Sequence, residues 1–184
     1  MMLVTLAAVI SGTMSMSALA VQSNQGHGTV TFKGEVIDAP CSISSDTINQ
    51  IVEFGEISNT SLANGGSSKP KSFKIILEDC VFPEDSSNDK VKITFSGAGA
   101  SFDSKLLGVT GLNPGEHVKN IGIQLTDTNG TPINMGMSTA QEIQLQKGKN
   151  ILQYSAFVQG ANVTVDQIPL GSFEGVSNFT LAYH

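Results

Sequence analysis

The residues that could carry out chemistry are few in this chain, and they are scattered. Its three histidines, His27, His117 and His184, fall in the N-terminal tail, a loop and the last position. None stands at a metal-ligand spacing. Cys41 and Cys80 are the only cysteines; there is no C-x-x-C and no histidine within sequence reach, so thiol catalysis is a poor reading of them. No serine sits in a G-x-S-x-G elbow. Gly97-Ala-Gly-Ala100 is glycine-rich, but no helical pattern follows it and there is no Lys-Ser/Thr, so it is not a phosphate loop. Asp127-Thr-Asn-Gly130 starts like a calcium loop but lacks the later carboxylates, and Asn129-Gly130 between apolar runs is a hairpin signal instead. Sixteen carboxylates and ten lysines, with no arginine, give a formal charge of −6. An acidic chain without a bidentate guanidinium is a poor nucleic-acid binder. No cofactor or metal is implied, and an enzyme is the weakest reading.

What remains is the chemistry of the main chain and of one cysteine pair. Leu3 to Ile10 is a short apolar run, followed by small residues ending Ala18-Leu19-Ala20, an A-x-A cleavage site too short for a membrane span. Residues 1–20 therefore read as a signal peptide, although Met1-Met2-Leu3 lacks the usual positive charge. In an exported chain the even pair Cys41 and Cys80 reads as a disulfide. No membrane insertion is expected of the mature chain.

At 184 residues, 40% hydrophobic and 14% charged, the chain can fill one domain's core. Long helical patterns are missing. Short alternating runs recur instead: Ile51–Ile57, Phe73–Cys80, Val91–Phe95, Asn120–Leu125, Thr131–Met135, Glu142–Leu145 and Asn150–Val158. Charged or glycine-rich turns separate them, including Lys147-Gly-Lys149, and one helical turn is expected at Ser61–Ala63. The most regular run is the last. From Gly171 to His184, Phe173, Gly175, Ser177, Phe179, Leu181 and Tyr183 share one parity, the period of two of a half-buried strand. These runs make about eight strands, an all-β sandwich of immunoglobulin-like pattern. A terminal amphipathic strand needs a neighbour on each side, and the second neighbour has to be found elsewhere. At the other end Val21–Gly28 is too polar to fold alone, yet it continues into Thr29–Ile37, with Gly26, Gly28, Val30 and Phe32 on one parity.

Both ends resemble one family. A glycine fourteen places from the end and a penultimate tyrosine, here Gly171 and Tyr183, are similar to the C-terminal signature of pilins of the chaperone–usher pathway. Gly28-Thr-Val-Thr-Phe-Lys-Gly-Glu-Val-Ile-Asp-Ala-Pro-Cys41 resembles the start of major subunits of type 1 and P pili, and Tyr154-Ser-Ala156 matches a strand of the same family. The resemblance implies an incomplete immunoglobulin-like sandwich lacking its last strand, with domains at 1–20 (signal peptide), 21–33 (donor-strand extension) and 34–184 (pilin domain). Gly26, Gly28, Val30 and Phe32 would be the donor strand. Gly171, Phe173, Phe179, Leu181, Tyr183 and His184 would form the strand that borders the groove and is gripped by a periplasmic chaperone, whose basic residues would hold the His184 carboxylate. The implied partners are the chaperone, an outer-membrane usher and identical or related subunits, with export through the periplasm to a cell-surface fimbria. The rival reading is a self-sufficient secreted carbohydrate-binding sandwich. It would need surface aromatics or a metal cluster, and the chain has two tyrosines and no tryptophan.

Overall fold

A computed structural model describes residues 27–83, 88–111 and 118–184. Residues 1–20, read above as a signal peptide, and the candidate residues Gly26 and His117 lie outside the described residues. The chain divides into residues 1–36 and a compact unit of Ile37–His184. In the first, His27 to Val36 form no strand and are exposed.

The described residues of the compact unit contain eight strands. β1 (Ser42–Ile43), β2 (Lys71–Cys80), β7 (Gly148–Gly160), β4 (Ile121–Thr126) and β5 (Pro132–Ile133) form one sheet in that order. β6 (Ile143–Gln144), β3 (Lys90–Ser96) and β8 (Asn178–Tyr183) form the other. Every pairing is antiparallel. The two inner faces supply the core, as their alternation requires. Val91, Ile93 and Phe95 of β3 are buried; so are Ile75 and Leu77 of β2, and Leu152, Tyr154, Ala156 and Val158 of β7. The register places Ile75 opposite Leu152 and Phe73 opposite Tyr154. Phe95 packs edge-on against Tyr154, ring centroids 5.3 Å apart.

The sandwich has two poles. Gly160, Ile121, Ser96 and Asn178 end or begin their strands at one, and Cys80, Gly148, Lys90 and Tyr183 at the other. At the second pole Cys41 and Cys80 are joined by a disulfide, both buried, with a sequence separation of 39. The outer edge of β2 is closed largely by side chains. After the two residues of β1, the Ser44 N–H donates to the Ile76 carbonyl (2.9 Å) and the Ile76 N–H to Thr47 Oγ1 (3.0 Å); Gln50 Nε2 donates to the Lys74 carbonyl (3.0 Å). Ser44 and Thr47 flank and sit in a short helix, α1 (Ser45–Ile48), which the periodicity did not reveal.

The hairpin at Asn129-Gly130 forms between β4 and β5. Asp127 Oδ1 accepts the N–H groups of Asn129 and Thr131, each at 2.8 Å, and Gly130 takes φ +79°. The helical turn expected at Ser61–Ala63 is α2 (Asn59–Leu62), followed by a 3-10 turn at Ala63–Gly65. Several strand expectations need correction. Thr131–Met135 and Glu142–Leu145 contract to two-residue strands. Gly148 and Lys149 lie within β7, where the chain crosses from one sheet to the other instead of making a hairpin. Ile51–Ile57 is no strand, although Val52, Phe54 and Ile57 are half-buried and their neighbours exposed. The alternation there reports two faces correctly; what the segment lacks is a ladder partner. The terminal strand also begins later than Gly171, at Asn178.

Candidate functional site

β8 is the edge of its sheet. Its six residues pair with β3 from Asn178 opposite Ser96 to Tyr183 opposite Val91, and among the described residues no strand lies on its other side. His184 extends the ladder: its N–H donates to the Lys90 carbonyl (2.9 Å) and the Lys90 N–H to its own (3.1 Å). The side chains alternate along the whole terminal run, with Phe173, Gly175, Ser177, Phe179, Leu181 and Tyr183 half-buried and the residues between them exposed. These inward residues pack on the core cluster yet are not covered by it. The contrast with β3 is direct, because Val91, Ile93 and Phe95 opposite them are fully buried. A row that faces the core and stays half-exposed lacks a covering strand on one side.

The stretch before β8 is held without a continuous ladder. Thr110 and Glu174 exchange two main-chain hydrogen bonds of 2.8 and 2.9 Å, and Ser177 Oγ donates to the Ser96 carbonyl. Gly175 is small because a Cβ there would come within 2.9 Å of Ile123 Cδ1. Gly171 has a different reason. Its φ is +126°, which L side chains rarely adopt, while nothing would touch an added Cβ. The chain turns there into the terminal run.

Facing this run stands the segment 51–57. Phe54 lies 6.3 Å from Phe173, centroid to centroid. A hollow of about 530 Å³ is lined by Val52, Phe54, Ile57, Ile168, Leu170 and Phe173 among others, and one of about 570 Å³ by Val52, Phe73 and Tyr154 with Gln50 and Lys74. Sequence reasoning named one wall, the terminal run, and missed the other: Val52, Phe54 and Ile57. The alternation of Val52 and Phe54 was the available signal; Ile57 falls out of phase with them after Gly55, whose φ is +75°.

A group of ion pairs lies beside the C-terminal end of β8. Glu142 contacts Lys92 (3.3 Å) and Lys90 (3.7 Å). The hydrogen bond from Lys92 and the lysine charges hold its carboxyl below the usual range. The Tyr183 hydroxyl is buried and has no hydrogen-bond partner among the described residues; burial pushes its pKa up. Among the described residues no cluster of His, Cys, Asp or Glu could hold a metal, and no helix is long and apolar enough to cross a membrane. Of the tail residues, Val30 and Phe32 are 75% and 89% exposed, and Gly28 has open space around it.

Comparison with known proteins agrees with this geometry. The chain is 41% identical over 168 residues to the Fimbria A protein of Serratia marcescens, covering 91% of each chain. It is 38% identical over 165 residues to the Major MR/P fimbria protein of Proteus mirabilis, covering 89% and 88%. Among solved structures, the P pilus rod subunit PapA superposes with a TM-score of 0.67 at 28% identity, over 79% of this chain and 100% of that one. A chain from a chaperone–usher pilus gives 0.72 at 30% identity, over 87% and 97%. The family model described as "Fimbrial protein" matches residues 30–184. This chain, an immunoglobulin-like sandwich with an open edge, belongs to the fimbrial protein family as a structural pilin of the chaperone–usher type.

Proposed function

We propose that the groove between β8 and the segment 51–57 is an acceptor for a strand from another molecule, and that the chain polymerises by exchanging one such strand for another. The observation that carries this reading is β8 itself: a strand with one ladder partner whose inward residues, Phe179, Leu181 and Tyr183, are half-exposed. A strand laid in the groove would supply main-chain hydrogen bonds, and alternate side chains would enter the hollows, the mode called strand addition, of which chaperone–pilin complementation is a named example. The periplasmic chaperone would provide the first strand and hold the His184 carboxylate. The tail of the next subunit, residues 21–33, would provide the second at an outer-membrane usher, with Gly26, Gly28, Val30 and Phe32 turned inward. Residues 1–20 direct export and are removed. Because the tail of one copy and the groove of the next are different surfaces, the contact is heterologous and grows into a filament. The product is a cell-surface fimbria.

Periplasmic expression with and without the cognate chaperone tests the reading. With it, a soluble one-to-one complex is expected, from which a synthetic peptide of residues 21–33 displaces the chaperone. Without it, the chain should aggregate or be degraded. A chain that stays monomeric and stable alone, indifferent to the peptide, would instead be a self-sufficient secreted module.

A further inference from the structure

We infer that the two poles of the sandwich form a second, apolar contact between consecutive copies of this chain, beside the strand in the groove. The inference rests on the strand-donation reading and adds to it a surface that the donor strand does not touch.

Large apolar side chains are exposed at both poles. At the pole where β8 begins, Val176 is 66% exposed, and Phe102 lies exposed in the loop that precedes Leu107. The position of Val176 is secured by neighbours, since its carbonyl lies against Gly97 just past β3, and Ser177 Oγ bonds Ser96. At the disulfide pole, Val81 is 68% exposed next to buried Cys80, and its N–H donates to the Pro40 carbonyl at 2.9 Å. Ile37, three residues before Pro40, is exposed as well. Exposed apolar groups placed at the two ends of the sandwich are available to a neighbouring copy, and covering them there removes apolar surface from water.

The occupant follows from how a donated strand must run. Every ladder in the sandwich is antiparallel, and a strand that completes it runs antiparallel to β8. Its C-terminal end, at Phe32, then leaves the groove at the pole of Val176. From Gly34 to Pro40 there are only seven residues before Cys41, which the disulfide fixes at the other pole of the incoming copy. A flexible segment of that length spans about 15 Å on average. The disulfide pole of the incoming copy is thereby tethered to the β8-start pole of the copy before it. Tethering on this scale gives an effective concentration in the millimolar range, at which a weak apolar contact is populated. The patch at Val81, Pro40 and Ile37 therefore meets the patch at Val176 and Phe102.

The test places a photoreactive benzoylphenylalanine at position 176 of the full chain, expressed with its chaperone and usher. Fibres are irradiated and cross-linked peptides are mapped by mass spectrometry. The expected adducts join position 176 to peptides holding residues 37–40 or 81 of another copy, and Val81→Asp should reduce their yield about tenfold or more. Fibres that form normally but cross-link elsewhere, or not at all, overturn the pole-to-pole contact while leaving strand donation intact. If the unsubstituted chain forms no fibres, or if mapping a probe at position 30 places the tail outside the β8 groove, strand donation itself has failed.

Discussion

Phe179 stands directly opposite Phe95 on neighbouring strands, their ring centroids 6.4 Å apart, yet Phe95 is 3% exposed while Phe179 is only half-buried. Two aromatic rings in one layer of one sheet should share one fate. They differ because the chain at Gly136, whose N–H donates to the Phe95 carbonyl (2.7 Å), covers the other side of Phe95, whereas Phe179 has only β3 beside it among the described residues.

Leu181, opposite fully buried Ile93, should tolerate a charge only while the groove is empty. Leu181→Asp is expected to lose chaperone co-purification, because docking a strand buries an unpaired carboxylate at a cost of about 3–5 kcal/mol. Thr180→Asp, one residue back on the exposed side, should co-purify normally. Equal behaviour of the two would place recognition elsewhere.

The donor tail makes a paired prediction of the same form. Val30→Asp should yield stable chaperone complexes and no fibres, since Val30 is exposed in the free chain and is proposed to be covered only at the joint. Thr31→Asp should assemble much better. Electron microscopy of surface fibres, with chaperone pull-down as the folding control, reads both.

Gly171→Ala tests backbone strain alone. No atom would touch the new methyl, but φ +126° is hostile to any Cβ, so a loss of about 1–3 kcal/mol is expected from conformation only. Denaturant unfolding of the chain bound to the tail peptide measures it, with Gly28→Ala as the neutral comparison.

Tyr154 is buried, and its hydroxyl has no partner among the described residues. Burial, helped by the charge of Asp127, pushes its phenol far above the ordinary value. Below a pH of about 10 the phenol is neutral in both folded and unfolded chains; above it only the unfolded chain ionises freely, so stability falls as pH rises. Tyr154→Phe removes that term and one unsatisfied hydroxyl, worth about 1 kcal/mol. Unfolding of the peptide-bound chain at about pH 8 and about pH 11 should show the variant at least as stable at the lower value, with a larger advantage at the higher one. A variant that loses stability equally at both would mean that the hydroxyl has a partner.

The strands that were legible in advance were those whose alternation coincides with pairing: Phe73–Cys80, Val91–Phe95 and Asn150–Val158 all lie within β2, β3 and β7. The inward row from Phe173 to Tyr183 was legible as well, down to its small members Gly175 and Ser177. Ile51–Ile57 shows the limit. Side-chain period reports which face is wet, whereas a strand requires hydrogen bonds from a second segment, and no local pattern encodes that. For the same reason the crossing at Gly148 read as a turn, because the sheet to which each flank belongs is decided by residues far away. The wall formed by Val52, Phe54 and Ile57 went unrecognised because it becomes one only opposite Phe173.

The Cys41–Cys80 bridge also decides how the subunit carries tension. A pull on the tail reaches Cys41 and crosses covalently to Cys80, so β1, α1 and everything else in the 39-residue separation between the cysteines are short-circuited. The force enters the sandwich at the end of β2, whose long ladder with β7 resists it in shear. Load borne along β8 is likewise shared by its six pairs with β3 instead of opening them one at a time. The two-residue β1, which would peel first in a thiol-free chain, is not a mechanical element at all.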